Sequence, residues 1–179
     1  GLRGLKRFAG DQLSQYKSQS KYMEFGSSPM SMEDKKKLIE LFPHTRICMH
    51  YGLTEAAANI FIEFHESSHR LESLGKPSPN IAIRIAADEG KACKTGEVGE
   101  IWVKGDVNMK SYWNNPGLTN ETLQDGWVRT GDLGYKDHDG YIFLKGRKDD
   151  ILNIGGEKVS PWEIESVLNS YPEINESAV

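Results

Sequence analysis

The chain has 179 residues, 37% hydrophobic and 27% charged. That length buries one respectable core or forms one domain plus part of another, and the composition excludes a disordered polymer. Its 26 acidic against 22 basic side chains give a formal charge of −4, which disfavours a nucleic-acid-binding surface.

Cys48 and Cys93 lack metal spacing and are read as reduced thiols of a cytoplasmic chain. No apolar run approaches the roughly 18 residues of a membrane span, and no signal peptide is visible. The first predicted element is a helix over 31–41. Ser31 is its N-cap, Glu33 and Asp34 occupy its first turn, Leu38, Ile39 and Leu41 supply an apolar face, and Pro43 stops it. Lys35-Lys36-Lys37 reads as a solvated face of that helix. A short β-prone run follows at 46–49, whereas 56–64 fits helix or strand by its period.

From Gly75 the texture changes to short strands separated by turns. An alternating run at 81–86 precedes the turn Asp88-Glu89-Gly90, and GEIWV at 99–103 is the next strand. Asp125-Gly126 turns into Trp127-Val128-Arg129, and Asp139-Gly140 into a strand at 141–144. Strands so closely spaced suggest a small barrel or sandwich rather than βαβ units. After an apolar stretch at 151–154, Ser160-Pro161-Trp162-Glu163 forms a capping box that opens a helix to about residue 171.

Three patterns lose their first appeal in context. HESSH at 65–69 fits H-E-x-x-H, which on a helix would align His65 and His69 for zinc with Glu66 as base. Glu72 stands where an extended zincin motif needs glycine, and two serines dilute helix propensity. Asp137-His138-Asp139-Gly140 meets Tyr141 and Lys148 where a calcium loop needs oxygen ligands, so it is read as a hairpin turn. Gly155-Gly156-Glu157-Lys158 lacks both the first glycine and the Ser/Thr of a P-loop.

Another set of residues points to a nucleotide. Tyr51-Gly52-Leu53-Thr54-Glu55 sets out a stackable ring, a backbone free to approach a ligand, a hydroxyl and a carboxylate. These suit an adenine face, a phosphate and Mg2+ in turn. Asp132, after Thr130-Gly131, offers two acceptor oxygens to two vicinal ribose hydroxyls, and Arg147 can donate to that sugar or to a phosphate.

In this order and spacing the motifs resemble the adenylate-forming superfamily of acyl-CoA synthetases, aryl-CoA ligases, luciferases and peptide-synthetase adenylation domains, over 25–178. The resemblance implies a mixed α/β fold. It divides into the end of an α/β subdomain (1–73), a small β-barrel-like subdomain (74–148), and a hinge with the start of an α+β lid domain (149–179). Gly26, Ser27, Ser28 and Pro29 resemble the adenine-binding segment, with Ser27 and Ser28 replacing the commoner Gly and Ala. The match further implies that Tyr51, Gly52, Leu53 and Thr54 line the nucleotide, with Tyr51 near adenine and Thr54 at a phosphate. Thr54 and Glu55 are then the catalytic pair, with Glu55 as the Mg2+ ligand. Asp132 and Arg147 hold the ribose, Leu144 lines the adenine pocket, Asp149 is the hinge, and Gly156 lies on the loop that approaches CoA. GEIWVKG at 99–105 resembles the barrel strand before TGD, and ILNIGGEKVSP, with Asn153 where some members have lysine, looks closer to acyl-CoA synthetases.

The implied activity is that of an ATP-dependent acyl-CoA synthetase, with ATP or AMP, Mg2+ and CoA as ligands and a small carboxylic acid as partner. No nucleic acid and no membrane span enter. A carrier-protein-loading adenylation domain is the alternative in class, and an H-E-x-x-H zinc hydrolase the alternative in chemistry. The chain starts at Gly1 without an initiator methionine and stops at Val179 as an apolar run begins, which suggests an excised segment. The family's Ser/Thr/Gly-rich phosphate loop and its C-terminal lysine match nothing within the 179 residues. Both stabilise charge developing on phosphates, so the isolated chain is expected to be inactive.

Overall fold

The computed structural model describes residues 15–26, 30–87, 90–169, 171, 173–174 and 177–179. The turn expected at Asp88-Glu89 lies outside them. Strand β1 (Tyr22–Phe25) leads through helix α1 (Met32–Leu41) to β2 (Arg46–Leu53), β3 (Ala56–Glu63) and the short β4 (Lys76–Pro77). These strands form one sheet in the order β1-β2-β3-β4. β1 and β2 pair in parallel, as a helical crossover requires, and the other pairs are antiparallel.

Helix α1 begins where its cap predicts, the Ser31 hydroxyl accepting the Asp34 N–H at 3.1 Å. Its inner face meets the sheet in a core of Leu38, Phe42, Ile47, Ile62, Phe64 and Leu71. The stretch whose period fitted helix or strand is a strand. Ile60, Ile62 and Phe64 are buried at alternate positions, a period of two that the preceding alanines obscure.

Lys35 departs from the solvated face expected of it. Lys36 and Lys37 are exposed, but Lys35 retains only 5% of its accessible surface. It sits one turn before Leu38 on the core side, donates to the Leu71 carbonyl, and lies 5.7 Å from the Phe64 ring centroid. Burial pushes its pKa down to about 8. The unfolded chain therefore holds a proton between pH 8 and the ordinary lysine value that the folded chain has released, so stability rises with pH across that window. From pH 7 to 9.5 the stability of the parent relative to Lys35→Met in urea denaturation is expected to grow by about 2 kcal/mol. An identical pH slope in the Met variant would refute the assignment.

The second sheet is antiparallel and five-stranded. Its members are β5 (Ala82–Ala86), β6 (Gly99–Lys104), β7 (Leu123–Gln124), β8 (Trp127–Lys136) and β9 (Ile142–Arg147). The order is β5-β6-β8-β7, with β9 also paired to β8. Every strand expected after Gly75 is present, and β8 continues beyond Arg129 through Thr130-Gly131-Asp132. Helix α2 (Pro116–Thr122) is absent from the predicted elements; Asn115 caps it by accepting the Leu118 N–H at 3.1 Å.

Past β9, β10 (Leu152–Ile154) and β11 (Glu157–Val159) make a hairpin, and α3 (Pro161–Leu168) follows. The Ser160 hydroxyl accepts the Glu163 N–H at 3.2 Å, as the capping box requires, and the helix ends at Leu168, short of the expected 171. Gly75 stitches the two large sheets together. Its carbonyl accepts from Ile142 at 2.9 Å while Leu74 donates to the Ile142 carbonyl at 2.8 Å. A second core of Ile60, Ile85, Ile101 and Ile142 therefore draws on both sheets, with Tyr51 and Leu144 packed at its edge. Among the described residues no helix is long and apolar enough to cross a membrane.

Candidate nucleotide site

Asp132 and Arg147 face each other on β8 and β9. Arg147 Nη1 donates to Asp132 Oδ1 at 3.1 Å, and the Tyr51 hydroxyl, from the far end of β2, donates to Oδ2 at 2.5 Å. Thr130 fixes the turn below: its hydroxyl donates to the Ile101 carbonyl at 2.7 Å and accepts the Asp132 N–H at 3.0 Å. Gly131 has φ +73°, and a Cβ there would lie 3.0 Å from Arg147 Nη2. Glycine thus admits the guanidinium against the backbone.

The Asp132 side chain is 12% exposed and that of Arg147 51%. The pair therefore presents an anchored acceptor and a reachable donor. A carboxylate has about four lone-pair sites; two are used here, and two remain for ligand hydroxyls. Burial, and then the Asp132 charge, push the Tyr51 hydroxyl far above its ordinary pKa of 10.0. It stays a phenol and a donor.

Thr54 and Glu55 form the two-residue turn between β2 and β3, closed by the Leu53–Ala56 pair. Thr54 is exposed, and half-buried Glu55 is held by the segment 109–112. Its Oε1 accepts from the Tyr112 hydroxyl at 2.5 Å and its carbonyl from the Met109 N–H at 2.7 Å. One carboxylate oxygen thus keeps its full capacity for a hard cation that retains most of its own water, which fits Mg2+. At Gly52 a Cβ would stand 2.3 Å from the Ala58 backbone nitrogen, so the missing side chain admits the opposite strand of the hairpin.

Gly26 lies beside His50, whose Nε2 a Cβ would meet at 2.3 Å; Ser27, Ser28 and Pro29 lie outside the described residues. Leu144 shares its core cluster with Tyr51. Asp149 is exposed in the turn after β9. Gly156 is on the β10–β11 turn, where Gly155 and Gly156 have φ of 64° and 96°, and its N–H donates to Asn153 Oδ1 at 3.0 Å. HESSH forms turns and a short 3-10 segment instead of an α-helix. The His65 ring faces the carbonyls of Phe42 and Thr45, and His69 packs edge-on against Tyr141, so the two rings are not aligned for one ion. Two residues escaped sequence reading: Tyr112, which holds Glu55, and Glu100, a carboxylate beneath Gly131 on a strand buried from Gly99 to Val103. An acid inside the otherwise apolar GEIWV was the available signal for Glu100.

The overall arrangement is that of the adenylate-forming enzyme domain. The o-succinylbenzoate CoA synthetase of Bacillus subtilis, solved with its acyl-adenylate intermediate, superposes with a TM-score of 0.82 at 30% identity, over 99% of this chain and 39% of that one. The AMP-binding enzyme family matches residues 3–113, and the chain belongs to that family. The curated 2-succinylbenzoate–CoA ligase of Bacillus subtilis (strain 168) is 42% identical over 130 residues, covering 72% of this chain and 26% of its own length. A fatty acid–[acyl-carrier-protein] ligase of Streptomyces coeruleorubidus is 34% identical over 163 residues, 87% of this chain and 30% of its own. The chain thus spans under a third of the length of these curated relatives.

Proposed function

We propose that this chain supplies the sugar- and metal-facing part of an ATP-dependent, AMP-forming acid–thiol ligase. The observation that carries the reading is the Tyr51–Asp132–Arg147 network, a preformed acceptor and donor pair that suits a ribose diol. A carboxylate oxygen of the acid attacks the α-phosphorus of ATP, the bond to pyrophosphate breaks, and acyl-AMP results. The sulfur of CoA then attacks the acyl carbonyl, AMP leaves with the bonding pair, and the thiol proton passes to solvent. Asp132 and Arg147 hold the sugar through both steps, Tyr51 and Leu144 bound the base, and Thr54 offers its hydroxyl to a phosphate. Mg2+ held at Glu55 would offset phosphate charge.

Asp149 serves as the hinge between the two half-reactions, with 1–73, 74–148 and 149–179 as successive structural units and Gly156 on the face that meets CoA. Gly26 borders adenine. Loading of a carrier protein is a second reading, favoured by the acyl-carrier-protein ligase among the relatives.

The discriminating assay supplies a ligase containing this segment with ATP, a panel of carboxylic acids, and either CoA or a phosphopantetheinylated carrier protein. Carboxylate-dependent pyrophosphate release and a CoA thioester are expected; a thioester on the carrier alone would select the second reading. Asp149→Pro is expected to keep pyrophosphate release within about threefold while thioester formation falls at least 100-fold, since a locked hinge stops the domain motion. Equal loss of both steps would refute the hinge. The 179-residue chain alone is expected to give no ATP–pyrophosphate exchange.

A further inference from the structure

The nucleotide reading gives no role to Glu100, the most confined acid of the second sheet. It lies on β6 with 7% of its surface accessible. Oε1 accepts the Gly131 N–H at 3.1 Å, and Oε2 lies 3.4 Å from Arg129 Nη2 and 3.9 Å from Lys148 Nζ. Lys148 is also tied through its backbone, its N–H donating to the Gly131 carbonyl at 2.7 Å. Both faces of the Gly131 backbone are therefore held, one by Glu100 and one by Lys148. The arginine at the third contact is itself braced, its guanidinium 5.6 Å from the Trp102 ring centroid. A carboxylate this buried needs such partners, and each of them loses its own if the carboxylate goes.

We propose that Glu100 is a positioning residue that fixes the Gly131–Asp132 turn beneath the ribose and, through Lys148, anchors the chain immediately before Asp149. The inference rests on the ribose and hinge reading above. Glu100 touches neither sugar nor phosphate. One oxygen sets the height of the sugar clamp and the other sets where motion toward the lid begins, so substitutions can separate the two effects.

The test measures amide hydrogen exchange and AMP affinity on the 179-residue chain, for the parent and for Glu100→Gln, Glu100→Ala, Lys148→Met and Asp132→Ala. Glutamine retains an acceptor for the Gly131 N–H and loses the charge that holds Lys148. It is expected to keep AMP affinity within about threefold while exchange at the Lys148 and Asp150 amides quickens at least tenfold. Lys148→Met is expected to reproduce that exchange pattern with AMP affinity unchanged. Alanine is expected to add a tenfold or greater loss of AMP affinity and faster exchange at Gly131. Protection at Val103 and Val128, in the core of the same sheet, is expected to persist in all four variants.

Equal AMP losses in the Gln and Ala variants, or faster exchange spread evenly over the sheet, would overturn the proposal in favour of a general stability role. Should the parent fail to bind AMP, or Asp132→Ala leave its affinity unchanged, the ribose reading falls instead. The exchange patterns of Gln and Met still judge the Glu100–Lys148 link in that case.

Discussion

Asp132→Ala is expected to weaken AMP binding about 100-fold while the chain stays folded. Hydrogen bonds to a charged acceptor contribute about 1.5–3 kcal/mol each, and in the proposed site two ribose hydroxyls would share this carboxylate. The loss is therefore about 3 kcal/mol or more, which converts to the stated factor. A ligand control follows from the same geometry: AMP lacking both ribose hydroxyls should bind the parent chain as poorly as AMP binds the variant. A readout free of nucleotide is the Tyr51 phenol, raised by burial and by the Asp132 charge. Asp132→Asn removes that charge, so ultraviolet titration should find the Tyr51 transition at lower pH, still above the ordinary value because burial remains. Undiminished AMP affinity in Asp132→Ala would end the sugar assignment.

Gly75→Ala is expected to be the most damaging single methyl in the fold. The residue has φ +104°, and a Cβ would stand 1.8 Å from the Phe61 carbonyl oxygen and 2.6 Å from the Ile62 nitrogen. These are backbone atoms of β3 that no rotamer change can move. Positive φ costs a non-glycine residue about 1–2 kcal/mol, and displacing the strand also stretches the Gly75–Ile142 and Leu74–Ile142 bonds that join the sheets. We expect a total near 3–5 kcal/mol, a large part of the stability of an ordinary domain. Gly140→Ala is the control. Its φ is +86° but nothing lies within 4 Å of the added carbon, so only the conformational cost of about 1 kcal/mol applies. Urea midpoints of the two variants should differ accordingly; equal midpoints would show that strand contact at Gly75 is unimportant.

Local chemistry made much of this fold legible. Ser31 and Ser160 cap helices because a side-chain oxygen satisfies an orphan N–H, and Asp125-Gly126 turns because both residues adopt positive φ. Asp132 and Arg147 could be proposed as partners because their side-chain chemistry suits one sugar, and the β8–β9 register sets them opposite each other. What stayed hidden depends on packing between distant segments. Nothing local to Lys35 announces that its ammonium will lie under Leu71. The close approach of Ala58 to Gly52 follows from the hairpin register, which nothing local to Gly52 announces. Tyr112 reaches Glu55 from 57 positions away, a distance over which no periodicity speaks.

The separation between Tyr51 and Asp132, 81 positions along the chain, carries a consequence for how the molecule matures. Their bond crosses the seam between the two large sheets, beside the core that both sheets share. Contacts of such long range must bear the entropy of closing large loops before they contribute. The seam therefore completes after the strands on either side of it, and opens before they do. A nucleotide that binds only across the closed seam adds RT ln(1 + [L]/Kd) to its stability, about 2.7 kcal/mol at a concentration 100 times Kd. In the proposed ligase a bound nucleotide would also act as a strut, and its removal would loosen the joint between the sheets.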